Sequence, residues 1–67
     1  MTIQDRRSKA IIAFGKINTT NYVNPIEKIN DYEDLEEEFE DLEMPDYAES
    51  CRTKAEECKN EILSQNE

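Results

Sequence analysis

Apolar residues recur along this chain at helical spacing, in three runs separated by short polar breaks. At about 100° per residue, Ile3, Ala10, Phe14 and Ile17 fall within about 60° of arc, with Ile11 and Ala13 on its flank. Thr2 is suited to cap this run and Gly15 to stop it just after Phe14, which predicts a first helix over about 3–14. Ile12 points to the opposite side, between Asp5 and Lys9. Residues 16–24, KINTTNYVN, carry no helical stripe and read as a connector, with Tyr22 and Val23 folded back over the core. A strand here would have nothing to pair with.

Asn24-Pro25-Ile26-Glu27 has the form of an N-cap, a proline at the first helical position and a glutamate at the third, opening a second helix over about 25–43. With Tyr32 at zero, Leu35, Phe39 and Leu42 lie at about 300°, 340° and 280°, a clean apolar arc. Ile29 and Ile26 drift to about 60° and 120°, and Asn30 with Glu33 offers a second start, so a bend near residue 30 is expected. Met44-Pro45 breaks the chain. Asp46 and Glu49 form another capping-box pattern, opening a third helix over about 46–64. Tyr47, Ala48, Cys51, Ala55, Cys58 and Ile62 make a heptad-like seam of mostly small residues on it, suited to close antiparallel packing across a tight turn. The expected fold is an all-α, three-helix domain. Helices two and three form an antiparallel hairpin, helix one packs across it, and Phe14 and Phe39 fill the space opposite the small residues.

Charge changes this picture in one place. Residues 31–50 hold eleven acids and no base, more than the whole net charge of −9. Within them, DYEDLEEEFEDLE (31–43) has nine carboxylates in thirteen residues. A disordered acidic tail would not sort its residues, yet here Tyr32, Leu35, Phe39 and Leu42 keep core spacing inside the charge run. An ordinary solvated helix face mixes signs, whereas this one sets acids against acids at i,i+3 and i,i+4, ten pairs opposing the helix by roughly 2–5 kcal/mol before screening. A domain of 67 residues has a net stability of similar size. Nine charges over about 20 Å of helix give one per about 2.2 Å, close to the one per about 1.7 Å of duplex DNA. Glu33, Asp34, Glu36, Glu37, Glu38, Glu40, Asp41, Glu43 and Asp46 are therefore the candidate partner-binding residues, presented to a basic surface on another protein. Nucleic acid and anionic membrane would be repelled.

Other chemistries find little support. The chain has no histidine and its single glycine, Gly15, is far from the acids, which disfavours zinc, di-iron and calcium-loop sites. Cys51 and Cys58 stand about 10.5 Å apart along a helix, too far for a disulfide, and read as small buried hydrophobes. So short a chain leaves little room for the sheltered pocket that acid/base catalysis requires. No enzyme activity, cofactor or metal is expected. The N-terminus lacks the apolar core of a signal peptide, which points to the cytoplasm.

In size, charge and all-helical character the chain resembles the small phage- or plasmid-encoded inhibitors that mimic DNA, such as anti-CRISPR and anti-restriction proteins. The resemblance covers the whole chain, rests on no shared motif, and implies a host nuclease complex or other nucleic-acid-binding protein as target, met in the host cytoplasm. A rival reading is an antitoxin, immunity protein or adaptor that binds through Ile12, Tyr22, Val23, Ile26 and Ile29. A third is a homodimer joined through the Cys51 to Ile62 seam.

Overall fold

The computed structural model describes residues 2–65, which form three helices and no strand: α1 (Ile3–Thr19), α2 (Pro25–Asp41) and α3 (Pro45–Gln65). Each helix runs antiparallel to the next, α2 lies between the other two, and the α2–α3 pair makes the largest interface. The Cα trace spans 46 × 20 × 13 Å, so the three helices form a flattened bundle.

The first helix begins as its sequence dictates. Thr2 Oγ1 accepts the Asp5 N–H at 3.2 Å, and the Asp5 carboxylate accepts the Thr2 N–H at 3.4 Å, a reciprocal cap. It does not stop at Gly15, as the expected 3–14 range had it, but continues to Thr19. A mid-helix glycine costs about 0.5–1 kcal/mol. Carrying the helix one further turn buries Ile17, which gains about 1.5–3 kcal/mol, so continuation wins. The end is then satisfied by hydroxyls, Thr19 donating to the Gly15 carbonyl at 3.0 Å and Thr20 to that of Lys16 at 2.5 Å.

In the connector, Tyr22 is half-buried and its hydroxyl donates to Asp31 at 2.6 Å, but Val23 is fully exposed at 102%. The expectation that both fold over the core fails at Val23, which sits where the chain bends into α2. Asn24 caps α2 by accepting the Ile26 N–H at 3.0 Å. The expected bend near residue 30 is absent. The helix is one piece, and Ile29 is buried at 6% exposure. Two flanking helices cover a wider arc of α2 than a single seam would, and the drift of the stripe toward Ile29 falls inside that arc.

At its C-terminal end α2 stops at Asp41 rather than Glu43. Glu43 takes a left-handed φ of 58°, with its N–H on the Glu40 carbonyl (3.1 Å) and that of Met44 on the Phe39 carbonyl (2.9 Å). These paired bonds are a Schellman turn with glutamate where glycine is favoured. Helix α3 then starts at Pro45, with the Ala48 N–H on the Met44 carbonyl at 3.1 Å, so Asp46 lies inside the first turn instead of capping it. Proline's fixed φ suits the first helical position, and this moves the start upstream of the expected capping box.

Between the helices, Tyr32, Phe39, Leu42 and Cys51 are fully buried. Phe14 from α1 stands edge-on to Tyr32, Phe39 and Tyr47 at ring distances of 6.1, 6.2 and 6.0 Å, and Phe39 stacks on Tyr47 at 5.0 Å. Ala48, Cys51 and Ala55 supply the small surface against which these rings close. Cys58 is only half-buried, so the two cysteines are less alike than their spacing indicated. With Cys51 and Ala55 already covered within one chain, the proposed dimer seam is occupied by α2.

Candidate acidic interaction face

The core arc of α2 fixes where its carboxylates go. Burying Tyr32, Leu35, Phe39 and Leu42 turns Glu37 and Asp41 to about 140° and 180° on the same wheel, opposite the core. Of the sequence-selected residues, Glu33, Asp34, Glu36, Glu37, Glu38, Glu40 and Asp41 share this one helix. Glu43 sits in the turn and Asp46 in the first turn of α3, both exposed and continuing the acidic surface around the end of the hairpin.

These residues fall into three strips. On the side facing α3, Glu33 meets Lys59 at 3.3 Å, Glu36 meets Arg52 at 3.1 Å, and Glu40 stands 3.8 Å from the same guanidinium. On the side facing α1, Glu38 meets Arg6 at 3.2 Å. Between them runs an outward ridge of Asp34, Glu37 and Asp41, exposed and without an ion pair among the described residues. The hydrogen bond from Arg52 to Glu36, and then the charge of Glu36, raise the guanidinium's pKa above its ordinary value.

The sequence reading missed these bases because it counted charges along one helix only. The signal was present: Arg52 follows Cys51 and Lys59 follows Cys58, so both flank the α3 seam, where long side chains reach across to a neighbouring helix. Arg7 is a second omission. Its Nε and Nη2 both donate to the Leu42 carbonyl, at 3.1 and 3.0 Å, placing a cation at the end of α2 where the helix dipole and the carboxylates are both unfavourable.

Charge density changes accordingly. Setting Arg6, Arg52 and Lys59 against the nine acids of residues 31–43 leaves six charges over about 20 Å, one per about 3.3 Å. A single strand within duplex DNA carries one per about 3.4 Å. Compared with the raw sequence, the folded helix resembles one phosphate strand in charge spacing rather than a whole duplex.

Of the rival apolar surface, Ile29 is buried and Tyr22 half-buried, which leaves Ile12, Val23 and Ile26 exposed. Among the described residues no group of three or more potential ligands is placed to hold a metal ion, and no helix is long and apolar enough to cross a membrane. Comparison with protein-family models, curated proteins and solved structures finds no match to this chain.

Proposed function

We propose that this protein is a non-enzymatic inhibitor whose α2 ridge takes the place of a nucleic-acid strand in a basic groove of another protein. The observation that supports it most is the ridge itself. Asp34, Glu37 and Asp41 remain exposed and unneutralised on a folded helix whose two flanks are each supplied with bases. Like charges at this spacing weaken the helix. Complementarity to a basic groove accelerates encounter and excludes the nucleic acid that would otherwise bind there. The partner on this reading is a host nucleic-acid-binding protein or nuclease complex in the host cytoplasm, and the role is of anti-CRISPR or anti-restriction type.

The test uses a variant with Asp34→Asn, Glu37→Gln and Asp41→Asn, which touches no intramolecular ion pair and so preserves the fold. The parent, immobilised, should retain a host protein that DNA or RNA displaces, with retention falling as salt rises. The variant should retain far less of it. If the variant captures that protein equally well, the ridge is a solubility surface. The antitoxin, immunity or adaptor reading through Ile12, Val23 and Ile26 then takes its place.

A further inference from the structure

Across the hairpin from the ridge, α3 carries two carboxylates of its own on the same face. Around α3, Glu56 and Glu49 lie about 40° and 60° beyond Arg52, on the side away from buried Cys51. Both are exposed, and neither makes an ion pair among the described residues. Arg52 and Lys59 stand three residues after them, where they could serve as i,i+3 partners. Those bases reach across to Glu36 and Glu33 of α2 instead, at 3.1 and 3.3 Å. The strip between the helices therefore carries paired charges, and a row of unpaired carboxylates is left on each side of it.

The same ion pairs fix the level of the two rows. Measured from Glu33–Lys59, Asp34 lies about 1.5 Å and Glu56 about 4.5 Å toward the hairpin turn. Measured from Glu36–Arg52, Asp34 lies about 3 Å and Glu56 about 6 Å away from the turn. The two references bracket the offset at about 3 Å either way, so Asp34 and Glu56 stand level to within that. Asp41 and Glu49 are each seven residues, about 10.5 Å, nearer the turn, and are level in the same measure.

We infer that the groove this protein blocks seats a nucleic-acid duplex, and that Glu49 and Glu56 meet its second row of basic side chains. The inference rests on the proposed function and extends it from one helix to two. A single-stranded ligand presents one line of phosphates, which α2 alone would replace. A duplex presents two lines with a groove between them, and a protein that holds both lays out its Lys and Arg side chains in two rows. Rows on two packed helices stand at least the interaxial distance apart, about 8–10 Å. Duplex grooves are of that scale, about 6 Å wide for the minor and about 12 Å for the major. Two level rows with paired charges between them match that layout, and one isolated strip does not.

The test uses the host protein that the immobilised parent retains, with a short DNA duplex and one of its single strands as competing probes. The duplex should displace the parent at roughly tenfold lower concentration than the single strand. Glu49→Gln with Glu56→Gln touches no ion pair and should raise the dissociation constant roughly tenfold or more. Glu57→Gln with Glu61→Gln removes the same charge from the other flank of α3, about 100° and 140° round from Glu56, and should change it less than about twofold. Circular dichroism confirms that each variant folds. Should the first pair lose helicity, Glu49→Gln and Glu56→Gln are measured singly, each expected to weaken binding about threefold. A row variant that binds like the parent overturns the inference and leaves the ridge reading in place. So does a control that weakens binding equally, or a single strand that competes as well as the duplex. Failure of the proposed function looks different: the Asp34, Glu37 and Asp41 variant binds like the parent, or no protein is retained. This inference then falls with it.

Discussion

On the flank of α2 that faces α3, Glu33, Glu36 and Glu40 each meet a base carried by the neighbouring helix. On the outward ridge of the same helix, Asp34, Glu37 and Asp41 meet none among the described residues. One run of acidic sequence thus divides into carboxylates that hold helices together and carboxylates that repel each other. The first set ties α2 into the bundle with exposed pairs that are individually weak. The second adds nothing to the fold and is the part available to a partner. A charge run is therefore not one feature, and its function is sought where its internal pairing ends.

The most drastic way to erase the comparison is to remove the core that aligns both strips. Phe39→Ala deletes the fully buried ring on which Phe14 and Tyr47 close, and should cost about 3–5 kcal/mol. In so small a domain this abolishes the cooperative thermal transition in circular dichroism; an unchanged melting curve would show that Phe39 is not core. A milder change acts on the acidic end of α2. Arg7→Ala removes both hydrogen bonds to the Leu42 carbonyl and should lower stability by about 1.5 kcal/mol in urea titration, the low end for a charged donor because the site is half-exposed.

Glu43→Gly runs the other way. Relieving a left-handed glutamate and removing one negative charge should raise stability by about 1 kcal/mol, visible as a higher urea midpoint with the same slope. A lower midpoint would mean that the turn depends on the glutamate side chain. The smallest effect sharpens the comparison most, because it is a difference in sign. Glu36→Gln breaks the pair with Arg52 and should slightly lower the melting temperature at low salt, whereas Glu37→Gln relieves repulsion and should slightly raise it. Both differences should shrink in high salt. If the two substitutions shift stability in the same direction, the division into tethered and repelling strips is wrong.

Much of this architecture was legible from spacing alone. Three helices, the α2–α3 hairpin, the Thr2 and Asn24 caps and the core roles of Phe39, Leu42 and Cys51 follow from apolar period and capping chemistry. Two of the errors share one cause, which is that tertiary packing outweighs a local preference of about 1 kcal/mol or less. Burial of Ile17 carries α1 through Gly15, and a buried arc made wider by two neighbours absorbs Ile29 without a bend. The acidic surface was visible as composition, but its division into paired and unpaired strips was not. That division depends on where Arg6, Arg52 and Lys59 arrive from other helices, which no count along residues 31–43 contains.

The unequal burial of the two cysteines gives the molecule an internal clock for its own opening. Cys51 is sealed beneath α2, and burial, aided by the nearby Glu36 charge, pushes its thiol up to about 11. In the closed state the reactive thiolate is therefore scarce at neutral pH. Cys58, seven residues along the same helix, is half-exposed. Alkylation of Cys58 thus proceeds from the closed state. Alkylation of Cys51 waits for the α2–α3 hairpin to part, and its rate reads the free energy of that separation directly.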